Sequence, residues 1–141
     1  MVHAHDNPSN KGYHPFWYAH VIGIFHANVR YNREGSDWQS VHFLWVRWFG
    51  RSEVTNTQAS QPVNQSGLDW VGFITEADDT ESFGFLDPAD VIHSCHLIPA
   101  FNDGQTDDLL GPCVARIDPD MDRDWKYYYV NRFISILIQS Y

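Results

Sequence analysis

Hydrophobic and polar positions alternate most clearly near the start of the chain. From Trp17 to Tyr31 every odd position is apolar or glycine, whereas the even positions include four polar side chains: His20, His26, Asn28 and Arg30. A period of two places alternate side chains on opposite faces of a β-strand. We therefore expect a strand that begins near Phe16, with its odd face on a core and its even face toward water.

A second strand-like segment follows at residues 43–51. It is apolar on both faces and contains two tryptophans, Trp45 and Trp48. A strand that is buried on both sides reads as a nearly continuous apolar run. We therefore predict a central strand from Val41 to Phe49.

The rest of the chain predicts short strands, turns and one terminal helix. Asp87 is placed to cap a helical turn that begins at Pro88. Apolar side chains at three- and four-residue spacing predict a helix over 124–138, capped by Asp122 or Asp124. The other expected segments are strands at 70–74 and 83–86, an extended segment at 93–101, a polar loop at 52–67 and an acidic turn at 76–81.

These elements predict one domain. Residues 1–15 are polar and broken by Pro8, Gly12 and Pro15, which indicates a flexible lead-in. Residues 16–141 are long enough to bury a core of their own. The predicted fold class is mainly β: a small, partly open β-barrel with a C-terminal helix.

Charge narrows the range of partners. The 141 residues carry a net charge of −9, and 16% of them are aromatic. Binding to DNA through phosphates needs clustered Lys and Arg, and the nine basic residues here form no run. An acidic, aromatic surface suits a cationic partner such as a histone tail better than a nucleic acid.

No pattern in the sequence predicts catalysis or a bound metal. No nucleophile motif and no glycine-rich phosphate loop is present. His93, Cys95, His96 and Cys113 contain zinc-ligand types, but they lack the paired spacing of zinc sites. We expect the two cysteines to be free thiols in a reducing compartment. The expectation is therefore a non-enzyme without cofactor or metal, and without a membrane span.

Three segments, in order, resemble the bromo-adjacent homology (BAH) domain. They are residues 17–25 (Trp-Tyr-Ala-His-Val-Ile-Gly-Ile-Phe), residues 46–54 (Val-Arg-Trp-Phe-Gly-Arg-Ser-Glu-Val) and residues 89–99. The resemblance covers about residues 16–101 and implies a small barrel that reads chromatin.

BAH readers hold methylated lysine in an aromatic cage, because ring faces attract the cation. By position, the resemblance places Trp17 and Trp48 on two of the cage aromatics. The third cage position falls near Phe85 and Leu86, and the best register places Leu86 there. The predicted peptide-binding residues are thus Trp17, Trp48 and Phe85.

A second resemblance is closer in its residue strings. Residues 14–19, 43–50, 84–92 and 125–131 resemble a segment near the C-terminus of Plavaka-type (KDZ-like) transposon proteins of mushroom-forming fungi. The resemblance covers about residues 14–132. It implies that any transposase carboxylates lie outside this segment. Residues 134–141 depart from the pattern, and we therefore expect a truncated or altered copy.

The sequence therefore predicts a non-catalytic, nuclear interaction module for chromatin or another protein. Its expected partner is a basic peptide or protein such as a histone tail, and the BAH resemblance implies a methylated lysine as the group that is read. Two alternatives stay open at this point. One is a nucleic-acid-contacting accessory domain of a transposase, which the charge disfavours, and the other is a structural remnant without activity of its own.

Overall fold

The computed structural model describes residues 1–4, 9, 14–51, 68–75, 82–111, 113–116 and 123–132. These residues form nine β-strands: β1 (Val2–His3), β2 (Phe16–Val29), β3 (Gln39–Arg51), β4 (Asp69–Phe73), β5 (Phe83–Leu86), β6 (His96–Pro99), β7 (Gln105–Thr106), β8 (Asp124–Trp125) and β9 (Tyr128–Asn131). Two short 3-10 turns cover Pro88–Asp90 and Phe101–Asp103.

Seven of the strands form one antiparallel sheet. Its order is β1-β2-β3-β4-β9-β6, and β5 pairs with β3 on the same edge as β4. β7 and β8 form a separate two-stranded sheet. β3 is the central strand of the sheet, because its length lets it pair with β2 along one edge and with both β4 and β5 along the other.

The mainly β class predicted from the sequence is confirmed, but the barrel is wrong. In the part of the chain that the structure describes, the sheet is open, with β1 at one end and β6 at the other. β1 is only two residues long, and it reaches the segment before β6 through a single bridge between Val2 and Val91. That short contact does not continue the ladder around to β6.

The predicted C-terminal helix is also wrong for those residues of 124–138 that the structure describes. Asp124 lies in β8 and Tyr128–Asn131 forms β9, between β4 and β6. Tyr and Val favour a strand that is packed on both sides, and this tertiary pairing overrides a helical spacing that arises by coincidence. Asp124, expected to cap a helix, instead pairs with two arginines.

The segment predicted to be a flexible lead-in contains a strand near its beginning. Val2 and His3 form β1, which pairs with Trp17 and Phe16 at the start of β2. The backbone N–H of Ile92 donates to the carbonyl of Met1 at 3.0 Å, which fastens this strand on its second side. The predicted loop at 52–67, the acidic turn at 76–81 and residues 133–138 of the expected helix lie outside the described residues.

β2 contains a bulge that reverses its alternation. Val21 pairs with Val46 and Gly23 pairs with Trp45, which leaves Ile22 as an extra residue. Tyr18 lies opposite Phe49, and Phe25 lies opposite Phe43, although one position is even and the other odd. The expectation that one odd-numbered face packs on the core is therefore wrong, because the core face changes from even to odd positions at Ile22.

The core lies where β2, β3, β4 and β9 meet. Its buried members are Tyr18, Phe49, Val71, Phe73 and Val130. The rings of Phe49 and Phe73 stack with centroids 4.2 Å apart. The hydroxyl of Tyr18 donates to Asp69 Oδ2 at 2.5 Å, which satisfies its only polar group inside the core.

Beyond this core, the β2–β3 hairpin continues as an arm (residues 24–43). Its two strands pair with each other, and no other described strand borders their outer edges. The arm exposes several large apolar side chains: Ile24, Phe25, Val29, Tyr31, Trp38 and Val41. The same two strands thus contain both deeply buried and largely exposed apolar side chains.

Candidate binding groove

A groove of about 620 Å³ lies beside the first residues of the chain. Its walls come from β1, the start of β2, the middle of β3, the end of β5 and the segment that follows β5. The lining residues are Val2, His3, Trp17, Trp48, Phe85, Leu86, Asp87, Ala89, Asp90, Val91 and Ile92. The groove therefore joins parts of the chain that are about 90 positions apart in sequence.

Trp17 and Trp48 form the aromatic side of the groove. Trp48 pairs across the ladder with Ala19, so Trp17 lies diagonally opposite it on the same face. The two indole rings meet edge to face, with centroids 5.8 Å apart and planes 78° apart. Trp17 is 40% exposed, and Trp48 is less exposed. The structure therefore brings together the two tryptophans that the sequence analysis selected.

Gly84 leaves the space that the Trp48 ring occupies. A Cβ atom at position 84 would lie 2.7 Å from Trp48 Nε1, a separation that real Cβ atoms essentially never show. Gly84 pairs with Val46, so the indole crosses β5 at the one residue of that strand without a side chain. The ring position thus depends on glycine at 84.

The acidic side of the groove is a short 3-10 turn. Asp87 Oδ1 accepts a hydrogen bond from the backbone N–H of Ala89 at 2.8 Å, and Pro88 occupies the first position of the turn. The cap and the proline predicted from the sequence are both present at this turn. Asp87 and Asp90 are exposed and line the groove. Two carboxylates therefore face the same space as the two tryptophans.

Phe85 borders the groove, but its ring belongs to the other face of the sheet. It pairs with Trp45, whereas Leu86 pairs with Leu44 on the face that carries Trp48. The Phe85 ring meets the ring of Phe43 edge to face at 5.4 Å. On the groove side the next residue of β5 is thus Leu86, and this side contributes two aromatic rings, those of Trp17 and Trp48.

Sequence reasoning missed the rest of the lining. Val2 and His3 had been assigned to a flexible lead-in, and no local pattern signals their pairing with β2. Asp87 and Asp90 carried a usable signal, since both directly follow the strand in which the third aromatic of the cage was predicted. An aromatic–acidic combination could therefore have been found by reading that turn for charge as well as for capping.

The described ranges contain no group of three or more His, Cys, Asp or Glu side chains placed to hold a metal ion. Outside the groove, burial raises the pKa of the Cys95 thiol, which disfavours its thiolate form. Among the helices of the described residues, none has the length and apolar character needed to cross a membrane.

Comparison with known proteins gives no relative from which a function could be taken. No protein-family model, curated protein or solved structure matches this chain.

Proposed function

We propose that the protein is a non-catalytic, BAH-like interaction module that binds a basic peptide in this groove. The proposed ligand is a histone tail with a methylated lysine, and the proposed setting is chromatin, in association with a transposon-encoded protein. The observation that carries the proposal is one groove lined by Trp17, Trp48, Asp87 and Asp90.

Each side of the groove favours a cation for a separate physical reason. The face of an indole ring carries negative potential and attracts an ammonium group by about 0.5–2 kcal/mol, more when water is excluded. Carboxylates such as those of Asp87 and Asp90 add a longer-range attraction. A methylated lysine has a charge for the carboxylates and an apolar surface for the rings, so it matches both sides.

The protein as a whole also attracts cationic partners. Its net charge of −9 raises the rate at which a basic peptide meets the surface at low salt. The same charge repels the phosphates of a nucleic acid. Long-range and local electrostatics therefore favour the same class of ligand.

Two arginines that a nucleic-acid-binding domain would use are already engaged. Arg47 is 4% exposed, and its guanidinium pairs with Asp124 at 3.0 Å. Arg132 Nη2 lies 3.6 Å from Asp69 Oδ2, and the Arg132 guanidinium lies over the ring of Phe16. These contacts reduce what either side chain could offer to phosphates, and they support the peptide proposal over the nucleic-acid alternative.

The test is a binding titration with fluorescently labelled histone-tail peptides, unmethylated and trimethylated at one lysine. We expect the trimethylated peptide to bind more tightly, because its cation is less strongly hydrated. Trp17→Ala should weaken binding on the order of tenfold, through the loss of one aromatic wall. Trp17 is a suitable target because it is partly exposed and lies outside the buried core cluster.

Trp38→Ala is the matched control, because Trp38 is 67% exposed in the arm and does not line the groove. It should bind like the wild-type protein. Equal losses in the two variants would contradict the proposal. Salt-sensitive DNA binding in a gel-shift assay would favour the accessory-domain alternative, and no binding to histone peptides, DNA or the transposon protein would favour the remnant.

A further inference from the structure

Two histidines lie side by side in the arm. His26 of β2 is directly opposite His42 of β3 in the ladder. Residues in opposite positions of an antiparallel ladder project from the same face, with their Cβ atoms about 4.5–5.5 Å apart. The two imidazole rings have centroids 6.0 Å apart and planes 37° apart. The register of the hairpin therefore brings two metal-ligating side chains together.

Both imidazoles are available to a ligand. His26 and His42 are exposed, and within the described part of the chain no hydrogen bond or ion pair engages either ring. His14 shows the contrast, because its Nδ1 lies 2.9 Å from the carbonyl oxygen of Phe16 and its Nε2 lies 3.2 Å from Asp69 Oδ1. Both nitrogens of His14 are thus engaged by the protein, whereas those of the arm pair face water.

The separation of the two rings is close to that of a chelating pair. A zinc–nitrogen bond of about 2.0–2.1 Å, together with the size of an imidazole, places two rings on one tetrahedral ion with centroids about 5 Å apart. The observed separation of 6.0 Å is longer by only about 1 Å. Small rotations of exposed imidazoles close such a gap, because their χ2 torsion is broad. The backbone need not move.

The neighbouring pairs on the same face differ in polarity. Ile24 lies opposite Leu44, two positions away from the histidines on one side. Asn28 lies opposite Ser40, two positions away on the other side. The amide of Asn28 and the hydroxyl of Ser40 can form hydrogen bonds with water bound to a metal ion, and such outer contacts raise the affinity of a site.

The donor atoms select the class of metal. Imidazole nitrogen binds Zn²⁺, Cu²⁺ and Ni²⁺, whereas Mg²⁺ and Ca²⁺ prefer oxygen ligands. Two imidazoles are fewer protein ligands than the three of a catalytic zinc site or the four of a structural one. Water would occupy the remaining positions, so we expect an affinity below that of those sites.

We propose that His26 and His42 bind a divalent transition-metal ion of this class between the two strands of the arm. The site lies outside the groove and does not depend on peptide binding there. The ion links β2 to β3 in a region where no other described strand borders their outer edges. Its binding stabilises the folded protein, because the unfolded chain does not hold the two imidazoles together.

The first experiment is calorimetric titration with Zn²⁺ at neutral pH, in a buffer that does not bind the metal. We expect saturable binding, weakened at least about tenfold in His26→Gln and in His42→Gln, because loss of a contact that merely orients a ligand already costs about 10–100-fold. His96→Gln is the matched control, since His96 is exposed on β6, outside the arm. It should leave this binding unchanged.

Hydrogen exchange locates the ion. Zn²⁺ should slow amide exchange in the arm of the wild-type protein and of His96→Gln, because a link between the strands opposes local opening. It should have no such effect in His26→Gln or His42→Gln. Zinc held elsewhere in the molecule, for example by a cysteine thiol, would not produce this pattern.

Three results would overturn the proposal: no saturable Zn²⁺ binding by the wild-type protein, equal weakening in His26→Gln and His96→Gln, or no slowing of exchange in the arm. Mg²⁺ that binds as tightly as Zn²⁺ would reject coordination by imidazole. Melting temperatures without metal check that the variants fold, as expected for substitutions of exposed side chains. If one arm variant fails to fold, the other decides, since each removes one of the two ligands.

Discussion

The β2–β3 hairpin has a body (residues 16–23 and 44–51) and an arm (residues 24–43), which are built from the same two strands but differ in what surrounds them. In the body, Tyr18 is 2% exposed and Phe49 stacks on Phe73. In the arm, Ile24 is 75% exposed although it continues the same apolar-rich strand. The body is covered because β4 and β9 bring further side chains against it, whereas no described strand borders the outer edges of the arm.

The difference shows that periodicity predicts pairing better than burial. A period of two is enough to form a ladder, since alternation and β-branched or aromatic residues favour a pleated strand. Burial needs a second layer, which residues far away in sequence must supply. Apolar patches that remain exposed on a protein surface often mark places where other molecules bind.

The largest effect is expected from removing a ring in the body. Phe49→Ala should lower the free energy of unfolding by about 3–5 kcal/mol, because it leaves a cavity beside Phe73 and Tyr128. Ile24→Ala in the arm should change it by no more than about 0.5 kcal/mol. Urea denaturation of both variants measures the contrast. Similar losses would mean that the arm is covered in solution.

A smaller effect is expected where the body is tightly packed around Trp48. Gly84→Ala should cost about 1–3 kcal/mol, because the new methyl group would lie 2.7 Å from the indole nitrogen. Gly111→Ala is the control, since a Cβ at that position meets nothing within 4 Å. The readouts are urea denaturation and tryptophan emission. An unchanged emission spectrum together with unchanged stability in Gly84→Ala would show that the ring lies elsewhere.

The smallest effect is expected at the junction of body and arm, from His20. The folded protein lowers the pKa of His20, chiefly by burial, so the unfolded chain takes up this proton first as the pH falls. The stability due to neutral His20 is complete above the unfolded pKa of about 6.5 and is lost as the pH falls through the folded value. Melting temperatures at pH 7.5 and 5 should therefore fall less in His20→Gln than in the wild-type protein. Equal falls would exclude His20 as a contributor.

Local patterns predicted most of the strands. The bounds of β5 agree with the expectation at 83–86, and β3 extends two residues beyond its prediction at each end. The segment that forms β9 was predicted as helix, because a short run of Tyr and Val fits both the helical period of about 3.6 residues and the strand period of two. Long-range pairing, which decides between the two, leaves no local trace.

The candidate groove was predictable in part. Trp17 and Trp48 were selected through a resemblance, and the ladder places them together. The contact between Val2 and Val91 has no signal in either segment, so the remaining wall could not be predicted. The buried ion pair between Arg47 and Asp124 could not be predicted either, because nothing in the sequence around Arg47 indicates that Asp124 lies beside it.

The bulge at Ile22 has a consequence for comparing this chain with others. Deleting that one residue would restore simple alternation and leave the pairs beyond it unchanged, including Phe25 opposite Phe43. In an alignment such a change would appear as a single gap inside a well-matched strand. In three dimensions each side chain of the arm would stay on its present face, so sequences that differ by that gap present the same surface there even though their odd and even positions are exchanged.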